Sequence, residues 1–275
     1  MSNSKSTGPL GAGMLANDGH VHVTTRQPGT RSAATDLLDE MDAAGVQRTA
    51  VVTPSTLGWD NSVTFDAVRF APDRFVAVAR VDLRADDGID ALREVISQGA
   101  RGIRITLLSE VDLSWLVDDR MDTVGSVLSE HGIAAEFHCE PGQLPAVGGF
   151  AERHPDLSVV IDHLGRPVPG TLGGSDHRRF LALARLSNVV AKTPSLGFFS
   201  QMPYPHQDVA PFIVSAIQEF GADRIMWGSD WPGCYEFGPY RRTLDGVVES
   251  LAGCDEADRR AVLAGTFDRV FSTGQ

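Results

Sequence analysis

Leu157-Ser-Val-Val-Ile-Asp-His163 is a short, nearly unbroken apolar run that ends in two ionisable residues. A strand with one wet face alternates apolar and polar positions, and one buried on both faces does not, so this run reads as a strand of a parallel sheet. The same pattern recurs outward in both directions, at Leu15 to Val23, Gln47 to Thr53, Arg74 to Arg80, Ala100 to Thr106, Ile133 to His138, Asn188 to Thr193 and Arg224 to Trp227. Between these runs lie segments with helical spacing, such as Leu37, Leu38, Met41 and Ala44, then Ile89, Leu92, Val95 and Ile96, and most clearly Phe212, Ile213, Ala216, Ile217 and Phe220. A strand followed by a helix, eight times over, is the pattern of a (β/α)8 TIM barrel, an α/β fold built as a single domain. A doubly wound open sheet is the rival. It is disfavoured because the first strand-to-helix turn has no Gly-rich phosphate loop and the ionisable strand ends are not gathered near one switch point. The barrel is expected over 15–275, with Asp255 to Phe271 as its closing helix, after a polar, Gly/Ser-rich and disordered tail over 1–14.

Composition narrows the function. The 275 residues are 42% hydrophobic and 22% charged, enough for a sizeable core. With 36 acidic against 24 basic residues the net charge is −12 and no basic run appears, which argues against the clustered basic surface that nucleic acid or an anionic membrane rewards. The first dozen residues, MSNSKSTGPLGA, are expected to be neither a secretory signal nor a membrane span, because they lack the apolar core of either. Cys139, Cys234 and Cys254 show no CxxC spacing, so a reducing, cytoplasmic setting is expected, without disulfides or a thiolate zinc site. A small-molecule substrate is the expected partner, and a homo-oligomer is left open.

Five strand ends carry chemistry: Asp18-Gly-His20-Val-His22, Arg101-Gly-Ile-Arg104, Phe137-His138-Cys-Glu140, Ile161-Asp162-His163 and Trp227-Gly-Ser-Asp230. In a barrel the C-terminal ends of all eight strands meet at one mouth. His20 and His22 share a strand face, so one ion could touch both imidazoles. His138 would complete a set of three nitrogens and Asp230 would add an oxygen, a donor set suited to a single divalent ion, zinc or manganese. Catalysis without metal stays open. Asp230 is the natural partner for activating water, and His163 could hydrogen-bond a reacting carbonyl or supply its proton. Arg104 falls on the same face as Thr106 and opposite to Arg101; with Gly102 giving room, it could grip a substrate carboxylate, or else form an interior ion pair with Glu136 or Glu140. Lys192 ends the seventh strand in a similar way, and the parity of Cys139 points it away from His138.

Taken in order, DxHxH, RGxR, the fifth-strand end, DHxGRP and WGxDWP resemble the amidohydrolase superfamily over residues 15 to 271, in its amidohydrolase-2 branch of lactone hydrolases. The DHxGRP and WGxDWP pieces are the more specific. The resemblance implies a barrel hydrolase that opens a lactone or similar ester, with Asp230 as general base, His20 and His22 as the first-strand pair, His163 as the sixth-strand histidine, Arg104 as the carboxylate-binding arginine and Ser55 as a substrate contact after strand two. The chain departs from the dicarboxylate lactonases of this branch. It lacks their additional arginines in Leu107 to Val111 and Thr193 to Phe199, and offers Phe198, Phe199, Trp59 and Trp231 instead, which points to a more apolar substrate. It also carries His138, as the metal-using relatives do. Two rival expectations remain: a metal-dependent non-oxidative decarboxylase, and a catalytically silent barrel that binds a metabolite.

Overall fold

The computed structural model describes residues 14–29 and 32–272. The expected tail, apart from Met14, lies outside the described residues. Eight parallel strands, β1 (Ala16–Val21), β2 (Val46–Val52), β3 (Phe75–Ala79), β4 (Ala100–Thr106), β5 (Ala134–His138), β6 (Val159–Ile161), β7 (Val189–Lys192) and β8 (Ile225–Met226), pair in simple sequence order. The ring closes where β1 meets the chain beyond β8. Gly19 N donates to Trp227 O at 2.7 Å, His22 N to Trp231 O at 2.6 Å and Asp230 N to His20 O at 2.9 Å. That approach needs a glycine, because a Cβ on residue 19 would lie 2.7 Å from Met226 Sδ and 2.9 Å from Trp227 O.

A helix follows each strand: Ala34–Ala44, Ser62–Phe70, Gly88–Ser97, Asp119–Glu130, Leu144–Arg153, Ser175–Leu181, Ala210–Phe220 and Tyr240–Ser250. Each buries the stripe its sequence advertises. In Ala210–Phe220, for example, Phe212, Ile213, Ala216, Ile217 and Phe220 are all buried. Two apolar layers result, one between sheet and helices and one inside the ring. The inner layer takes Val52, Val78, Ala134, Val160, Val190 and Met226 from the strands, and Phe267, Val270 and Phe271 from the last helix, Thr266–Phe271, close it at the end away from the mouth. The expected closing helix is in fact three consecutive pieces, Glu256–Arg260, a wider turn over Ala261–Gly265, and Thr266–Phe271.

The inner-face parity that buries Val76 and Val78 on β3, Ala134 on β5, Val160 on β6 and Val190 on β7 carries the next inner positions to Arg80, Glu136, Asp162 and Lys192. Above an apolar floor the inside of the barrel is therefore charged. All three cysteines are free, and burial pushes the Cys139 thiol up to about 12. Among the described residues no helix is long and apolar enough to cross a membrane.

Candidate active site

The deepest charged layer comes from four consecutive strands. Arg104 of β4 donates Nε–H to Asp162 Oδ2 at 2.9 Å, and Lys192 Nζ lies 2.5 Å from Glu136 Oε2 and 3.3 Å from Asp162 Oδ1. Two cations face two carboxylates, all buried, so the layer balances its own charge. Burial pushes the Asp162 carboxyl up, but Lys192, His20 and Arg104 outweigh it and hold the group well below the usual carboxylate range. Glu136 is raised by burial and only partly restrained by Lys192. Gly102 is part of this design: a Cβ there would sit 3.2 Å from Glu136 Oε1. Arg104 thus realises the interior ion pair, with Asp162 rather than Glu136 or Glu140 as partner. Its terminal guanidinium nitrogens have no protein partner among the described residues.

Above this layer, toward the mouth, the histidines gather. His20 Nδ1 lies 3.4 Å from Asp162 Oδ1 and 3.3 Å from Lys192 Nζ, which directs its Nε2 outward. His22 Nδ1 faces Val52 O at 2.8 Å; a carbonyl only accepts, so Nδ1 carries the proton and Nε2 can present a lone pair. The two Nε2 atoms are 3.3 Å apart, with Asp230 Oδ1 3.3 Å from that of His22 and 4.0 Å from that of His20. Burial pushes the Asp230 carboxyl up, but the imidazoles around it, His22, His163 and His20, prevail and keep it ionised. His20 and His163 are both lowered by burial and stay neutral at pH 7.

His20, His163 and Asp230 also bring one ligating atom each within 4.8 Å of one another. Three electron-pair donors facing one another, with His22 fixed in a donor tautomer and a carboxylate behind His20, fit a divalent ion. A second cluster, His20, Glu136 and Asp162, surrounds the Lys192 ammonium, which already supplies the cation there.

His163 and Asp230 stand on unusual backbone. After β6 the chain turns left-handed for four residues, His163 (φ 54), Leu164 (φ 50), Gly165 (φ 66) and Arg166 (φ 66), and after β8 Asp230 has φ 59. Such conformations in residues other than glycine cost about 1–3 kcal/mol each and concentrate at functional sites. The elbow brings the His163 ring to 4.9 Å from that of His20 and leaves its buried Nδ1 unpartnered. It also drops Arg166 onto the fifth-strand histidine, with Nη1 3.3 Å from His138 Nε2. The third imidazole beside His20 and His22 is therefore His163. His138 sits 5.8 Å from the His163 ring, its pKa lowered to about 3 by burial and then by Arg104. Ser55 is exposed on a short turn, Ser55–Leu57, after β2. Of the aromatic residues expected at the mouth, Phe199 lies 5.8 Å from the His163 ring and Trp59 is exposed, whereas Trp231 is fully buried. Sequence reasoning gave no role to Arg166, although it closes the DHxGRP motif, or to Arg80, which follows its strand without a neighbouring ionisable cluster.

The family model described as amidohydrolase matches residues 18–272. This chain belongs to the amidohydrolase family. It is 29% identical over 272 residues to a 4-sulfomuconolactone hydrolase of Hydrogenophaga intermedia, covering 92% of this chain and 88% of that protein. It is 32% identical over 203 residues to an L-fucono-1,5-lactonase of Burkholderia ambifaria, covering 72% and 69%. An amidohydrolase from Burkholderia multivorans, solved with bound zinc, has the same fold at a TM-score of 0.77 and 22% identity, over 94% of this amidohydrolase and all of that chain (100%).

Proposed function

We propose that this amidohydrolase opens a lactone or carboxylic ester that carries an acidic group. The observation that supports the reading best is the convergence of ionised Asp230 with His22 and with neutral His20 and His163 at one end of the barrel. The two relatives from Hydrogenophaga and Burkholderia ambifaria are named for lactones, and a lactone needs what this cluster offers: a proton acceptor for water and a donor for the carbonyl oxygen. Asp230 holds the attacking water and accepts its proton. His20, His22 and Asp230 would hold a zinc or manganese ion, which would supply Lewis acidity that makes a nearby water easier to deprotonate. His163, neutral, donates a hydrogen bond to the carbonyl oxygen as negative charge builds there. His138, against Arg166, lines the site rather than holding the ion, and Arg104 turns its free guanidinium nitrogens to the substrate's acidic group, with Ser55 at the rim. The free thiols fit work in a reducing compartment.

The test is Asp230→Asn, a substitution that suits left-handed backbone. Purified protein with its metal quantified is assayed by proton release on sugar lactones and muconolactones. Turnover should fall about 10²- to 10⁴-fold with the melting temperature retained. An Asn variant as active as the native chain refutes the assignment.

A further inference from the structure

Arg80, the first residue beyond β3, is a buried cation with no counterion. It is 7% exposed, no carboxylate lies within 4.0 Å of it among the described residues, and its Nε is buried without a partner. Leaving a guanidinium in that state costs several kcal/mol unless something else uses it. The chain around it is built to hold it. Asn61 clamps its backbone from both sides, accepting from Arg80 N at 2.7 Å and donating to Arg80 O at 2.8 Å, and the same amide nitrogen donates to Trp59 O at 3.1 Å. Arg80 Nη1 donates to Gly58 O at 2.8 Å, and the Trp59 ring lies against the guanidinium, 4.7 Å from its centre. Trp59 is itself 51% exposed, a platform at the rim.

The pairing Val78↔Gly102 and Ala79↔Ile103 carries Arg80 alongside Arg104 on the inner face of the neighbouring strand. Burial, and then the charge of Arg104, lowers the Arg80 pKa, as expected of a buried cation with a like charge on the next strand. One of these guanidinium groups has no anion, and the other has given only its Nε to Asp162. We infer that Arg80 and Arg104 together form an oxyanion subsite, walled by Trp59, that takes the acidic group of the substrate, a carboxylate or a sulfonate. In a ring ordered β1 to β8, β4 stands across the barrel from β8, so the bound anion lies on the opposite side of the mouth from Asp230. The substrate then reaches across the mouth, with its reacting carbonyl at one end and its anion at the other.

This inference rests on the hydrolase reading, and the test separates the two. Benzoate, benzenesulfonate and neutral benzamide are titrated against the native protein by thermal shift, and an acidic lactone is compared with its methyl ester in steady state. Either anion should stabilise the native protein where benzamide does not; which anion shifts it further tells carboxylate from sulfonate. Arg80→Met should abolish that stabilisation and lower the acid-to-ester ratio of kcat/KM about 10- to 100-fold, mainly through KM, with partial rescue by Arg80→Lys. If no lactone is turned over, the hydrolase reading fails while the thermal-shift result still judges the subsite. Stabilisation by neither anion, or an Arg80→Met variant that responds to the anions as the native protein does, overturns the subsite. A uniform loss on acid and ester alike overturns it as well, since that marks Arg80 as a support for the Trp59 loop.

Discussion

Replacing Lys192 by Met keeps the length of the side chain and removes the charge that holds the interior layer together. In the native protein Lys192 Nζ touches Glu136 Oε2 at 2.5 Å and Asp162 Oδ1 at 3.3 Å, all three side chains being 0% exposed. Without the ammonium, Arg104 alone faces two buried carboxylates, and the layer carries one uncompensated negative charge. Breaking a buried pair by deleting one partner costs about 3–5 kcal/mol. Glu136 limits the damage, because burial already raises its carboxyl and Lys192 is the main influence holding it down. In the variant it takes up a proton that the unfolded chain has released, so the native state gains stability as the pH falls. The deficit of Lys192→Met should therefore be about 4 kcal/mol at pH 8 and shrink toward pH 5, by about 1.4 kcal/mol per pH unit where Glu136 titrates. The double variant Lys192→Met/Glu136→Gln removes both charges and should leave a deficit of only about 1–2 kcal/mol, a recovery of about 2–3 kcal/mol over Lys192→Met at pH 8. Equilibrium urea unfolding followed by tryptophan fluorescence measures each species. A double variant no more stable than Lys192→Met, or a deficit that does not change with pH, refutes a mutually compensating layer.

Asp18 accepts from His20 N and Ser229 N at 3.0 Å and from the Tyr240 hydroxyl at 2.9 Å, yet burial pushes its carboxyl from 3.8 up to about 6, those bonds only partly opposing it. The native state therefore takes up a proton between those two values that the unfolded chain lacks. Native stability minus that of Asp18→Asn should fall by roughly 3 kcal/mol as the pH rises through this window, and a constant difference between two denaturation series counts against it. Gly19→Ala forces a Cβ to 2.7 Å from Met226 Sδ at the barrel seam and should cost about 1–3 kcal/mol by the same unfolding assay; a neutral outcome means the seam is looser than described. If His20, His22 and Asp230 hold the proposed ion, dialysis against a chelator should remove one equivalent of metal, cost at least about 10²-fold in turnover, and be reversed by zinc or manganese; full activity in protein shown to be metal-free refutes that part of the proposal.

Strand count, strand order and the inward set of Arg104, Glu136 and Lys192 were legible because they follow from a two-residue period on strands buried on both faces. Parity cannot say which inward charges meet. Arg104 reaches past its neighbour Glu136 on β5 to Asp162 at the end of β6, because Lys192 of β7 has taken Glu136. Adjacent residues on a strand point to opposite faces, so parity carries Asp162 inward and should carry His163 out. The left-handed elbow breaks that alternation and turns both inward, Asp162 to the ion-pair layer and His163 to His20. The same elbow places Arg166 over His138, a contact that parity cannot foresee. Asp230 repeats the exception after β8. Local preference argues against a left-handed Asp, His, Leu or Arg, and that preference is overruled here at the two residues proposed to handle protons. A sequence that is locally consistent almost everywhere yields at the mouth of its barrel, where the cost of the strained backbone places Asp230 and His163 on either side of one small space.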